Sequence, residues 1–187
     1  MLSVIIATFE SERALVRTLA ALVPGATAGL ISEVLVADAG SRDDTAAVAD
    51  VAGCNFLVSG GSLGRRLQAA TATARAPWLM FLRPGTILDK PWTGEARAFV
   101  EQPVPDTRAA IFRRGAPARS DLREAFSLFA AALGARPRPD QGLIISKDFY
   151  KQIGGHYEHA NDPEADLLRR IGRRRIVMLS TRTFQAT

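Results

Sequence analysis

Between Val34 and Thr45 the chain reads Val-Leu-Val-Ala-Asp-Ala-Gly-Ser-Arg-Asp-Asp-Thr. A β-branched apolar run ends on the carboxylate of Asp38 and breaks at Gly40 into a helix start, which presents an acid at the carboxyl edge of a sheet, where open α/β folds bind ligands; an aspartate that merely caps the turn is the alternative. A second group follows at Gly60-Gly61-Ser62-Leu63-Gly64-Arg65-Arg66. Glycines let a backbone approach phosphate closely, and a helix start carries unpaired N–H groups and a positive dipole end, to which Arg65 and Arg66 add two cations. The run has neither P-loop nor dinucleotide-fingerprint spacing, so an ordinary glycine turn with solvated arginines stands beside the phosphate reading. Arg83-Pro84-Gly85 ends another apolar run with a cation, and Pro163-Glu164 places a carboxylate in a helical first turn. A carboxylate there suits proton abstraction, but acids favour first turns on electrostatic grounds alone. His156 and His159 form a His-x-x-His pair with no cysteine or ordered acid spacing beside it, which is a poor basis for a zinc site.

These groups need a scaffold of alternating strands and helices. Buried-strand patterns fall at Leu2 to Ala7, Ile31 to Ala37, Asn55 to Val58 and Trp78 to Leu82. Helical patterns fall between them: Glu10 to Leu22, closed by Pro24-Gly25; a stretch from a capping-box-like Ser41 and Asp44 to about Ala52; and Leu63 to Arg75. Such alternation predicts parallel strands joined by right-handed crossovers. After Pro84 the rhythm becomes mixed α+β, with turns at Pro91, Gly94, Pro103, Pro105 and Pro117, a helix near Glu95 to Glu101 and a strand at Ala109 to Phe112. Ser120 or Asp121 caps a helix whose Leu122, Phe126, Phe129 and Leu133 form one apolar stripe, a core face or, alternatively, a membrane or dimer contact. A stiff basic connector at Arg136 to Asp140, a strand at Leu143 to Ser146, a helix at Asp162 to Gly172 and a last strand at Ile176 to Leu179 complete the reading.

The 187 residues, 47% of them hydrophobic, suffice for one core, so a single domain is expected. The net charge of +5 is carried by arginine, since Lys90, Lys147 and Lys151 are the only lysines. Arginine excess suits phosphate-bearing ligands, but it also follows from a bias toward Ala and Arg; without interleaved aromatic residues it does not support nucleic-acid binding. Cys54 is the single cysteine, which rules out an intramolecular disulfide and fits a reducing, cytoplasmic setting. No stretch approaches 18 apolar residues and the first strand begins at Leu2, so neither secretion nor membrane spanning is expected; peripheral membrane contact and the oligomeric state stay open.

Taken in order, Ser3-Val-Ile-Ile-Ala-Thr-Phe-Glu10, Val36 to Thr45, Gly64-Arg-Arg-Leu-Gln68, Trp78 to Thr86, Asp140-Gln-Gly142, Gly154-Gly155 and Pro163 to Arg170 resemble family-2 glycosyltransferases, in particular a small bacterial branch. The resemblance spans nearly the whole chain. It implies a GT-A-like (Rossmann-like) α/β domain with a mostly parallel central sheet flanked by helices, residues 1–90 forming a nucleotide-sugar half and 91–187 an acceptor half. The implied reaction is transfer of a sugar from a UDP-, GDP- or dTDP-linked donor to an unidentified hydroxyl acceptor, with inversion.

By the same resemblance Thr8, Glu10 and Asp38 surround the nucleoside, Arg65 lies near the diphosphate, Glu164 is the base with Asp166 behind it, and Asp140 and Gln141 orient the acceptor. The family holds a divalent cation, Mg²⁺ or Mn²⁺, on an acid at the end of the fourth strand. Here Arg83-Pro84-Gly85 stands in that place, and a guanidinium repels such an ion. No metal ligand is therefore assigned; Mg²⁺ or Mn²⁺ stays open as a cofactor, although its usual ligand is absent. Either Arg83 supplies fixed positive charge in place of the metal, or the site has lost its chemistry and kept at most nucleotide binding, a course also suggested by Ala39 and by Ala69 or Ala70 at polar motif positions.

Overall fold

The computed structural model describes residues 1–102, 107–115 and 137–186. The helix expected on Leu122, Phe126, Phe129 and Leu133 and the turns at Pro103, Pro105 and Pro117 lie outside them. The described residues form one eight-stranded sheet in the order β3-β2-β1-β4-β7-β6-β8-β5. Its strands are β1 (Leu2–Thr8), β2 (Ile31–Asp38), β3 (Asn55–Val58), β4 (Trp78–Leu82), β5 (Thr86–Leu88), β6 (Ala109–Arg114), β7 (Leu143–Ser146) and β8 (Ile176–Gln185). The helices are α1 (Glu12–Thr27), α2 (Thr45–Val51), α3 (Leu63–Thr73), α4 (Trp92–Glu101), α5 (Lys147–Gln152) and α6 (Pro163–Ile171).

β1 to β4 pair in parallel, as their alternation with helices requires. β7 runs antiparallel to both β4 and β6, and β8 is parallel to β6 and antiparallel to β5. The expected α/β architecture with a mostly parallel sheet is therefore present. Helices cover both faces, which is why the strands read as continuous apolar runs. Successive side chains take opposite sides: Val4, Ile6, Met80 and Phe112 join Leu15 and Trp92 in one core cluster, while Ile5, Leu79 and Phe81 join Leu67, Phe149 and Leu167 in the other.

Three expectations need correction. α1 does not close at Pro24-Gly25 but runs to Thr27, and the chain turns at Gly29 with φ 66°. Gly25 serves packing instead, because a Cβ there would lie 2.4 Å from the Trp92 ring. Ser41 does not cap α2, whose N-cap is Asp44. β8 continues past Leu179 to Gln185. The short β5 and α5 were not anticipated.

Candidate functional site

β1 and β2 end level, with Thr8 opposite Asp38 in the parallel register. Asp38 is almost fully buried, 1% exposed. Its Oδ1 accepts from the Thr8 hydroxyl at 2.7 Å and the Ser41 hydroxyl at 2.6 Å, and its Oδ2 accepts from the backbone N–H groups of Gly40 at 2.7 Å and Ser41 at 2.6 Å. Burial raises its proton affinity, but these hydrogen bonds outweigh that and hold the carboxyl below its usual range. Asp38 thus builds the turn, and both of its oxygens are already engaged within the chain.

That turn locks onto the tip of β1. Ser41 accepts from the Glu10 N–H at 2.8 Å, and the Glu10 carboxylate accepts from the Arg42 N–H at 2.8 Å. Glu10 has φ 48°, the one positive value at a non-glycine position among the described residues. This left-handed conformation costs energy and persists because neighbouring bonds impose it. Beside it Phe9 is 61% exposed, an aromatic face at the sheet's carboxyl edge that motif matching passed over and that an apolar residue just beyond a strand end could have signalled.

The two arginines that open α3 part company. Arg66 turns inward and donates through Nη1 to the carbonyls of Thr8 and Ala37, both at 3.0 Å, so it ties together the ends of β1 and β2. Its Nε is buried without a hydrogen-bond partner. Arg65 is largely exposed and reaches Glu158 at 3.7 Å, a contact worth little in water. Ser62 caps α3 by accepting from the Arg65 N–H. Gly64 is required by contact, since a Cβ there would lie 2.3 Å from the Tyr157 carbonyl oxygen.

β4 ends in a tight turn. Thr86 N–H donates to the Arg83 carbonyl at 3.1 Å, with Pro84 and then Gly85 (φ 85°) at the central positions, the arrangement of a type II turn. Gly85 also bonds α1 through the Ala14 carbonyl and the chain end through the Ala186 N–H. The turn aims Arg83 at α6, where its Nε donates to Glu164 Oε2 at 2.7 Å and its Nη2 to the same oxygen. Pro163 opens α6 and Asp162 caps it by accepting from the Ala165 N–H. Glu164 is 13% exposed and Arg83 41%. Burial pushes the Glu164 carboxyl above its ordinary value; the Arg83 guanidinium opposes this, and the neighbouring Asp162 and Asp140 carboxylates reinforce it.

Asp166 is engaged elsewhere, accepting from Arg170 Nε at 2.7 Å and from Arg169. Arg170 in turn donates to the carbonyls of Ile153 and Gly155 and lies 3.9 Å over the Tyr157 ring. Asp166 thereby fastens the 153–157 loop to α6. Gln141 is buried and bridges the Arg138 N–H to the Phe112 carbonyl, both at 2.8 Å. Asp140 sits between Arg114 and Arg138. His156 is buried against Phe81 with Nδ1 2.9 Å from the Tyr150 hydroxyl, and His159 is exposed, so the two histidines do not converge. Burial, aided by Arg170, drops the His156 pKa to about 3.

The residues at the end of β4 do not suit a divalent cation. The strand tip carries a guanidinium, the nearest carboxylate is paired with it, and no group of three or more His, Cys, Asp and Glu side chains converges among the described residues.

No family model and no curated protein matches the sequence. Solved structures do match its fold. Glucosyl-3-phosphoglycerate synthase from Mycobacterium tuberculosis, in complex with Mn²⁺, UDP and glucosyl-3-phosphoglycerate, superposes with a TM-score of 0.72 at 16% identity, over 100% of this chain and 72% of that one. S. aureus TarS, residues 1–349, gives 0.68 at 19% identity over 96% and 58%. A mycobacterial protein gives 0.71 at 20% identity over 100% and 68%.

Proposed function

We propose that this chain, which has the GT-A glycosyltransferase fold, transfers a sugar from a nucleotide-sugar donor to a hydroxyl acceptor with inversion. The observation that carries the reading is the Arg83–Glu164 pair, which joins the strand end that addresses a diphosphate in this fold to the helix start that offers a base. The M. tuberculosis synthase, with UDP and Mn²⁺ bound, supports a uridine-type donor; the metal does not carry over, because Arg83 occupies the place its ligand would need.

The donor's nucleoside lies across the tips of β1 and β2, its base against Phe9, over the turn that Asp38, Thr8 and Glu10 hold in shape. In the resting protein Glu164 and Arg83 neutralise one another. An incoming diphosphate competes for the Arg83 guanidinium, whose planar fork suits phosphate oxygens. Glu164 then loses its cation and gains proton affinity in its buried setting, and so becomes a stronger base. The acceptor hydroxyl gives its proton to Glu164 as its oxygen attacks the anomeric carbon from the face opposite the diphosphate. The carbon–oxygen bond to the leaving group breaks, its electron pair stays on the phosphate oxygen, and Arg83 stabilises that charge. Arg65 is too exposed and too weakly held to do so without rearrangement.

A second reading is favoured by the same pair. A base neutralised by a guanidinium, at a site without a metal-binding acid, also describes a nucleotide-binding protein that has lost turnover. An assay for release of UDP from UDP-sugars separates the two: release above the uncatalysed rate that Glu164→Gln abolishes supports transfer, whereas tight UDP binding without release supports the scaffold.

A further inference from the structure

Two arginines from different elements converge on one carboxylate beside the proposed base. Arg114, at the end of β6, brings its Nε to 3.3 Å from Asp140 Oδ2, and Arg138 brings its Nε to 3.5 Å from Asp140 Oδ1. Asp140 is 15% exposed at its side chain, the arginines 56% and 62%. The carboxylate is therefore the buried anchor and the two cations form the outer face. Asp140 Oδ1 is buried with no hydrogen bond, so its contact with Arg138 is ionic only. Within this triad one negative charge is shared by two positive ones, while the neighbouring Arg83, Glu164 and Asp162 bring the wider cluster to three cations and three carboxylates.

The cluster is held in place from below. Buried Gln141 accepts from the Arg138 N–H and donates to the Phe112 carbonyl, which fixes Arg138 against β6. Gln185 at the end of β8 donates to the Asp140 carbonyl at 3.4 Å. Each guanidinium has five N–H donors, and both arginines are more than half exposed while their Nε atoms meet the shared acid. Arg138 and Glu164 line the same small cavity, about 10 Å³ and large enough for a single water or hydroxyl group, together with Phe81, Gly142 and Leu168.

We infer that Arg114 and Arg138 form an anion subsite for the acceptor, which is a small hydroxyl compound carrying a phosphate monoester or carboxylate group. The anion seats on the two forks outside, while only the hydroxyl enters the small cavity that Arg138 shares with Glu164. Asp140 is a positioning residue, holding the guanidinium groups apart and oriented until the anion arrives. The inference rests on the proposed role of Glu164 as base, but the anion subsite is open to test without turnover.

The test is calorimetric titration of the full chain at low ionic strength with glycerol 1-phosphate, glycerate and glycerol, for the wild type, Arg114→Gln, Arg138→Gln and the distant control Arg97→Gln. Saturable binding of glycerol 1-phosphate or glycerate, absent for glycerol, is expected, with affinity reduced tenfold or more in Arg114→Gln and Arg138→Gln and unchanged in Arg97→Gln. Preference for one anionic probe identifies which anion the acceptor carries. Equal weakness of all three probes, or equal loss in Arg97→Gln, overturns the inference. Thermal stabilisation by UDP, measured on the same samples, keeps the two proposals apart: if the wild type and Arg138→Gln both respond to UDP, a failed anion titration counts against the subsite alone, whereas a wild type indifferent to UDP counts against the donor reading.

Discussion

Arg83 donates to Glu164 through Nε at 2.7 Å, across 81 positions of sequence, and joins the end of β4 to the first turn of α6. The pair combines a cation and a base that the proposed reaction needs separately. Its chemistry depends on how readily the two part. Glu164→Gln removes the proton acceptor while keeping shape and hydrogen-bonding capacity. Transfer is expected to fall by about 10²–10⁴-fold, the range of general-base catalysis, with UDP affinity retained or raised, since a neutral amide no longer competes with the diphosphate for Arg83. Measured kcat and UDP binding on one preparation check this; undiminished turnover excludes Glu164 as the base.

Arg83→Met strands the Glu164 carboxylate in a largely buried position beside Asp162 and Asp140. Removing one partner of a buried pair costs roughly 3–5 kcal/mol, and Arg83 is exposed enough to reduce that to about 1–2 kcal/mol. The sign with pH follows from a folded pKa above the unfolded one. Stability contributed by protonated Glu164 is complete below the ordinary value of 4.5 and is lost as pH rises through the higher folded value. The deficit of the variant relative to the wild type therefore widens from pH 4 to pH 7 in urea denaturation. A deficit independent of pH contradicts the burial of an unpaired carboxylate.

His156 works in the opposite sense. Its folded pKa of about 3 lies below the ordinary value of 6.5, so the unfolded chain binds the extra proton. The contribution is fully present above pH 6.5 and is lost as pH falls toward 3, by up to about 1.4 kcal/mol per pH unit. His156→Gln, which cannot titrate, is expected to show a shallower loss of stability between pH 6 and pH 4. An unchanged slope places the acid sensitivity elsewhere.

Two helical glycines should respond oppositely to alanine. At Gly94 in α4 nothing lies within 4 Å of an added Cβ, so Gly94→Ala should stabilise by about 0.4–1 kcal/mol through helix propensity and reduced chain entropy. At Gly25 in α1 the Cβ would meet Trp92 at 2.4 Å. Gly25→Ala should destabilise by about 1–3 kcal/mol despite the same propensity gain. Melting temperatures of the two variants decide it.

These particulars also show what the sequence could disclose. β1, β2 and β4 were legible because strands buried on both faces leave uninterrupted apolar runs. Pro24-Gly25 misled because the reason for Gly25 is a tryptophan 67 positions away, not a helix end. β5 spans only Thr86–Leu88, too short for a period to register, and the end of β8 alternates polar residues that read as a tail. At the site, the carboxylate at a strand tip and the acid in a first helical turn were visible locally. That Asp38 binds its own turn through Gly40 and Ser41 is local Asx-type chemistry open to the sequence, whereas that Arg66 rather than Arg65 faces inward and that Arg83 clasps Glu164 depend on long-range contacts without a local signature.

In the proposed reaction the Arg83 guanidinium stands where a divalent cation would otherwise hold the donor's diphosphate. Calorimetric titration of UDP in EDTA and again in Mn²⁺ tests it most directly, with Arg83→Met alongside. UDP is expected to bind in EDTA, with an affinity within about twofold in Mn²⁺ and a loss of tenfold or more in Arg83→Met, about 1.4 kcal/mol. UDP binding that appears only with Mn²⁺ and survives in Arg83→Met would contradict it.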